Sequence, residues 1–284
     1  MSAPQATGPD FAHTPNVSIK VGSTAFAYRD LRPRGGVPLV LFHHLTAVLD
    51  NWDPRVIDGL AKSRRVIAFD NRGIGGSEGS VPDTIEDMAR DGIAFIRALG
   101  FTQVDLLGLS MGGFVTQAIA LQEPLLVRRM ILAGTGPAGG VGIDKVTRVT
   151  LYDMFRAFLT LKDPKNYLFF TQTPQGRQAA GEFLARLKER TEDRDKPITI
   201  DAFRRQLKAV HRWGLQAPTD LSRISQPVLV VNGDSDRMVP TSNTIDLAQR
   251  LPQSDLVIYG DSGHMAIFQH HRDFVKTALQ FLSR

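Results

Sequence analysis

The feature that most restricts what this chain can fold into is an exchange of short apolar runs with helical patterns, broken once in the middle. A continuous apolar run at 37–42 and mainly apolar segments at 65–69, 104–108, 129–133, 227–231 and 255–259 read as strands, the first two of buried type. Helical patterns at 51–62, 84–99, 111–122, 241–251 and 268–282 fall between or after them. Asp83 or Thr84 caps the second helix and Gly100 ends it. Such alternation calls for a mostly parallel sheet with helices on both faces, an α/β fold. Ahead of it, 17–21 and 24–28 alternate around Gly22-Ser23, a hairpin signal. From about Gly136 to Pro218 only helical patterns occur, bracketed by Gly134-Thr135-Gly136-Pro137 and Gln216-Ala217-Pro218. The simplest organisation is a flexible tail over 1–16, one α/β core made of 17–136 and 219–284, and a helical insertion over 137–218.

Composition excludes several function classes. With 284 residues the chain can bury a large core without staples, and Cys 0 removes disulfides, thiolate metal sites and a Cys nucleophile together. Lys+Arg 34 against Asp+Glu 29 leaves +5 with no dense basic run, so a scattered basic surface is expected rather than a nucleic-acid groove. No apolar run approaches the roughly 18 residues of a membrane helix, and 1–13 lacks the charged-then-apolar pattern of an export signal. A cytoplasmic protein with no membrane or nucleic-acid partner is the expectation; self-association stays open.

The chemistry concentrates at Gly108-Leu109-Ser110-Met111-Gly112, where a strand ends and a helix begins. A turn that tight strains the Ser backbone, and small neighbours relieve the crowding. The hydroxyl then stands clear of the sheet, and the helix N-terminus aims N–H groups at a developing oxyanion. A Ser nucleophile needs a neutral imidazole to take its proton and a carboxylate to orient that imidazole. His264 lies in Gly260-Asp261-Ser262-Gly263-His264, just beyond the last strand, where α/β sheets place ligand-facing groups. Asp234 and Asp236 follow the strand 227–231, and His43 and His44 end the strand 37–42 at the same rim.

From 17 to 282 the chain resembles the α/β-hydrolase superfamily, in particular its lid-bearing esterase, lactonase and perhydrolase members. The resemblance implies the α/β-hydrolase fold with an inserted helical lid (cap). It also implies a triad in the order Ser110, Asp236, His264. The family's acid loop, Gly-x-x-Asp-x-x-x-Pro, fits Gly233 to Pro240 and selects Asp236 over Asp234. Asp70-Asn71-Arg72-Gly73-Ile74-Gly75-Gly76-Ser77 matches a family turn whose expected role is structural. The family's His-Gly-x after the third strand reads His43-His44-Leu45 here. By position, Leu45 and Met111 then supply the oxyanion N–H groups, and the His44 imidazole is free either to project into the pocket or to point away.

Candidate pocket residues are His44, Phe155, Phe158, Trp213, Met238 and Met265. No His-Glu-x-x-His or clustered carboxylate ligand set occurs, and Gly73-Ile74-Gly75 is too short for a dinucleotide loop, so neither a metal nor another cofactor is expected. The implied activity is a serine hydrolase acting on a small, mainly apolar ester or lactone. Alternatives on the same triad are cofactor-free perhydrolysis or haloperoxidase-type oxidation, carbon–carbon bond hydrolysis, or a lyase reaction. An alternative of another class is a ligand-binding protein with no catalysis.

Overall fold

The computed structural model describes residues 10–284 except Arg32 and Arg34. Among the described residues eight strands form one sheet: β1 (Val17–Val21), β2 (Thr24–Leu31), β3 (Leu39–Phe42), β4 (Val66–Phe69), β5 (Val104–Leu109), β6 (Val127–Ala133), β7 (Val228–Gly233) and β8 (Ser254–Tyr259). Their spatial order is β1-β2-β4-β3-β5-β6-β7-β8. The β1–β2 and β2–β4 pairs are antiparallel and every later pair is parallel. This is the mostly parallel α/β sheet the alternation calls for.

Side chains along the central strands divide by the two-residue period of a strand. Val40, Phe42, Ile67, Phe69, Leu106, Leu132 and Val230 enter one apolar cluster. Leu41, Val66, Ala68, Leu107, Leu109, Ile131 and Val231 enter the other. Both faces are covered by helices, which is why these strands read as unbroken apolar runs. The covering helices are α1 (Pro54–Ala61), α2 (Ile85–Ala98) and α3 (Met111–Gln122) in the first half. Asp53 caps α1 through the Arg55 N–H with Pro54 at its first position, and Thr84 caps α2 through the Asp87 N–H.

Between β6 and β7 run α4 (Val146–Thr160), α5 (Lys165–Leu168), α6 (Pro174–Arg186) and α7 (Ile200–Leu215). The core resumes with β7, α8 (Thr241–Arg250), β8, α9 (Ala266–Gln269) and α10 (His271–Ser283). Among the described residues no helix is long and apolar enough to cross a membrane.

Residues 10–16 depart from the expected loose tail. Phe11 is buried under the Arg29 guanidinium, 4.8 Å from its ring centre, and its N–H donates to Asp58 Oδ1 at 2.7 Å. Arg190, just past α6, donates to the Ala12 and Thr14 carbonyls at 2.9 Å each. A single aromatic anchor and an arginine distant in sequence fix a segment whose Pro- and Thr-containing text suggests none. Residues 1–9 of that expected tail lie outside the described residues.

The insertion is tied to the core by buried charge as well as apolar contact. Arg186 makes a two-pronged pair with the fully buried Asp53 (2.7–3.0 Å). Arg29 Nη2 donates to Asp50 Oδ1 at 2.5 Å, and Asp50 and Asp195 exchange backbone-to-carboxylate bonds at 2.9 and 3.2 Å. Burial, and then the nearby Asp50 charge, push the Asp195 carboxyl up to about 6.

Candidate active site

Ser110 occupies the turn between β5 and α3 at φ 56°, ψ −118°, a backbone conformation costly for a residue with a side chain, on the order of 1–3 kcal/mol. The surroundings hold it there. Its N–H donates to the Ala133 carbonyl at 2.8 Å, and Thr135 Oγ1 donates to its carbonyl at 2.9 Å. Glycine at 112 is required by close approach: a Cβ there would lie 2.1 Å from the Phe42 carbonyl oxygen. That approach brings the end of β3, and the loop His43–Thr46 after it, against the N-terminus of α3.

The His264 ring lies between Ser110 and Asp236. His264 Nε2 is 2.8 Å from Ser110 Oγ, and His264 Nδ1 is 2.8 Å from Asp236 Oδ2. All three residues are buried. The other Asp236 oxygen accepts the Met238 and Val239 N–H groups at 2.8 and 3.0 Å, which fixes the carboxylate before it meets the imidazole. Asp234 points elsewhere. Its oxygens accept the Asp261 and Ser262 N–H groups at 3.0 and 3.2 Å, pinning the loop that carries His264. Slight burial pushes the Asp234 carboxyl up, but these bonds outweigh it and leave the group below its usual range.

The loop after β3 is braced from two sides. Asp70 accepts the Leu49 N–H at one oxygen and the Gly76 N–H at the other, both at 2.9 Å. Burial, followed by the Asp195 charge, raises the Asp70 carboxyl well above the usual range. The turn 70–77 therefore locks the β3 loop onto the β4 loop. From the other side, Gln206 of α7 accepts the Thr46 N–H at 2.8 Å, and Thr46 sits at φ 68°. The insertion thus grips the segment that carries Leu45. No sequence signal marks Gln206, because a polar residue on an amphipathic helix reads as a solvated one.

Ser110 and His264 open onto a cavity of about 320 Å³ with a largely apolar lining. Of the six candidate pocket residues, His44 and Met238 line it. The other four do not. Phe155 and Phe158 are 61% and 75% exposed on the outer face of α4. Trp213 stacks behind the wall against Phe114, ring centres 5.5 Å apart. Met265 is buried in the core cluster on one sheet face, where its N–H bonds the Phe169 carbonyl. The α4 residues that do face the cavity are Val146, Thr150 and Met154. They recur at i, i+4 and i+8, so helical period rather than side-chain size was the usable signal. Leu168, Phe169 and Phe203 complete the apolar wall from α5 and α7.

The His44 ring is buried at the cavity wall. Nδ1 is 2.7 Å from the Leu45 carbonyl, and the ring meets Phe169 edge-on at 5.2 Å. Burial drives its pKa down to about 3, so the ring is neutral at any working pH. Among the described residues, no three His, Asp or Glu side chains group as metal ligands.

A sequence profile of the alpha/beta hydrolase fold matches residues 37–271. The 2-hydroxymuconate semialdehyde hydrolase of a Pseudomonas species (strain CF600) is 28% identical over 259 residues, 87% of each chain. An alpha/beta hydrolase fold protein from Chitinophaga pinensis superposes with a TM-score of 0.93 at 36% identity, over 96% of this chain and 99% of that one. The enol-lactonase from Burkholderia xenovorans LB400 shares the fold, with a TM-score of 0.71 at 22% identity over 94% of this chain and 100% of that one.

Proposed function

The chain belongs to the alpha/beta hydrolase fold family, and from that premise we propose that it is a serine hydrolase cleaving small, mainly apolar carboxylic esters or lactones through an acyl-enzyme. The observation that carries this reading is the hydrogen-bonded line Ser110–His264–Asp236 at the base of an apolar cavity. Ser110 Oγ attacks the carbonyl carbon as its proton passes to His264 Nε2. Asp236 accepts the Nδ1–H bond, which fixes the reactive tautomer and stabilises the imidazolium that forms. The oxyanion is held by the N–H groups of Leu45 and Met111. Met111 opens α3, so its N–H has no partner within the helix. The intermediate collapses, the alkoxide leaves with the proton from His264, and water repeats the sequence to release the acid. Every step uses the chain's own groups.

Carbon–carbon hydrolysis is the second reading, favoured by the relative named for 2-hydroxymuconate semialdehyde. A substrate of that kind carries carboxylate charge. Among the described residues lining the cavity Lys165 is the one Lys or Arg, and Asp163 lies 3.5 Å from its ammonium. An apolar wall with its cation already paired suits a neutral acyl compound better.

The test is a panel of chromogenic esters and lactones of graded chain length, run beside a carbon–carbon substrate and fluorophosphonate labelling. Ester or lactone turnover that falls on the order of 10³–10⁶-fold in Ser110→Ala is expected. Near-wild-type turnover by that variant, or cleavage of the carbon–carbon substrate alone, overturns the reading.

A further inference from the structure

A residue of the cavity wall carries a buried polar atom that the triad does not use. His44 Nδ1 lies against a carbonyl oxygen, which can only accept, so Nδ1 carries the ring proton. In the neutral ring the second nitrogen, Nε2, is then a bare acceptor. Nε2 is buried and has no hydrogen-bond partner among the described residues. A buried polar atom without a partner is unusual and costs free energy until something bonds it. Its residue lines the cavity with the same degree of exposure as the catalytic pair: 4% for His44, 6% for Ser110 and 3% for His264.

Position narrows what that atom can meet. His44 is joined directly to Leu45, whose N–H faces the oxyanion in the reading above. Phe169 touches both imidazoles, its ring centre 5.2 Å from that of His44 and 6.2 Å from that of His264. The His44 ring therefore lies one aromatic ring away from the catalytic base. Adjacency to Leu45 in the chain points to the part of the acyl compound nearest the scissile carbonyl as the place for a group that meets Nε2. The ring does not compete for the Ser110 proton, because Nδ1 is committed to Leu45 and burial keeps the ring unprotonated.

We propose that His44 Nε2 accepts a hydrogen bond from the substrate, so that the site selects acyl compounds bearing a hydroxyl or amide N–H on the carbon next to the scissile carbonyl. This rests on the hydrolase reading for the reaction, though not for the binding. It makes His44 a specificity residue: the acceptor is desolvated already, and a substrate without a donor leaves it unbonded. Sites built to bond one polar group discriminate strongly against the analogue that lacks it.

The experiment uses α-hydroxy-γ-butyrolactone and α-methoxy-γ-butyrolactone, which share an electron-withdrawing oxygen but differ in the donor. Rates are normalised to each lactone's hydroxide-catalysed hydrolysis. The expected result is a preference in kcat/KM of about 10- to 100-fold for the hydroxy compound in the wild type. That ratio should fall to near one in His44→Phe, which cannot accept, and survive in part in His44→Gln, whose amide oxygen can. His44→Leu serves as a second variant without an acceptor if the Phe protein does not fold. A wild-type ratio near one, or a ratio unchanged in the Phe or Leu variant, overturns the proposal. Calorimetric binding of the same two lactones separates its failure from that of the hydrolase reading. Tighter binding of the hydroxy compound by the wild type, lost in the variant, supports the acceptor even where neither lactone is turned over. Equal binding of the two refutes it.

Discussion

Asp236→Asn is the substitution whose outcome the geometry determines most completely. The carboxylate has two committed oxygens: Oδ1 accepts two backbone N–H groups, and Oδ2 accepts one imidazole N–H. An asparagine keeps one acceptor and turns the other into a donor. If its NH2 faced Met238 and Val239, it would set donors against donors and forfeit two bonds to a charged acceptor, each worth about 1.5–3 kcal/mol. Facing His264 instead, the NH2 sacrifices one. The amide oxygen therefore stays on the backbone pair and the NH2 faces His264 Nδ1. The imidazole must then take the tautomer with its proton on Nε2, and that nitrogen cannot accept the Ser110 proton. The expected loss in kcat is about 10⁴, equivalent to about 5.5 kcal/mol. Asp234→Asn is the matched control. It loses one of the bonds to Asp261 and Ser262, so kcat should fall less than about 10-fold and stability by about 1–2 kcal/mol. Both variants are assayed with one chromogenic ester, with circular dichroism to confirm folding. An Asp236→Asn protein within 10-fold of wild type, or a crippled Asp234→Asn protein, refutes the argument.

Three further expectations come from the junction between the insertion and the core. Gln206→Ala removes the acceptor from the partly buried Thr46 N–H, and kcat should fall about 10-fold with little change in the unfolding midpoint if the bond mainly places Leu45; an unchanged kcat counts against that role. Asp195 has a carboxyl raised to about 6 when folded, so the folded state binds the extra proton, and stability falls as pH rises from about 4 to 6. Urea midpoints of Asp195→Asn should gain on wild type across that window, and a pH-independent difference would remove Asp195 as the cause. Replacing 140–216 with a short Gly/Ser linker strands the buried Asp53 without Arg186 and leaves Asp50 with Arg29 but without Arg190 and the Asp195 N–H. That protein should be insoluble or molten by near-ultraviolet circular dichroism, and a cooperative, native-like melt would show the core to be independent.

The sheet is readable because burial on both faces leaves short runs of apolar residues, recurring along the chain between turn residues. Leu39–Phe42 and Val66–Phe69 are cases. Their ends were less readable. The strand expected from 37 begins at Leu39, and the helix expected over 51–62 is a short 3₁₀ turn, Leu49–Asn51, followed by α1 from Pro54. There the capping by Asp53 decides, not the apolar pattern. Arg29 shows the opposite limit. On β2 it reads as the polar half of an alternating strand, yet it is fully buried, because Asp50 and Asp195 come to it from distant segments. Long-range charge pairing leaves no local trace.

The same distinction divides the candidate site. Ser110, Asp236 and His264 each sit at the C-terminal end of a parallel strand, so the order of strands alone brings them to one rim, whatever the side chains around them do. The cavity wall has no such guarantee. It is made by helices whose rotation about their own axes decides which residues look inward. On α4 that rotation turns Thr150 and Met154 to the cavity and Phe155 and Phe158 to solvent. What sets the rotation is the buried face as a whole: Val146, Thr150, Asp153 and Ala157, with Asp153 opposite Arg237 at 3.3 Å. Arg237 directly follows Asp236. The face of the insertion that shapes the cavity therefore rests on the loop that carries Asp236. An aromatic count cannot find such a face, because the larger side chains of α4 are the ones left outside.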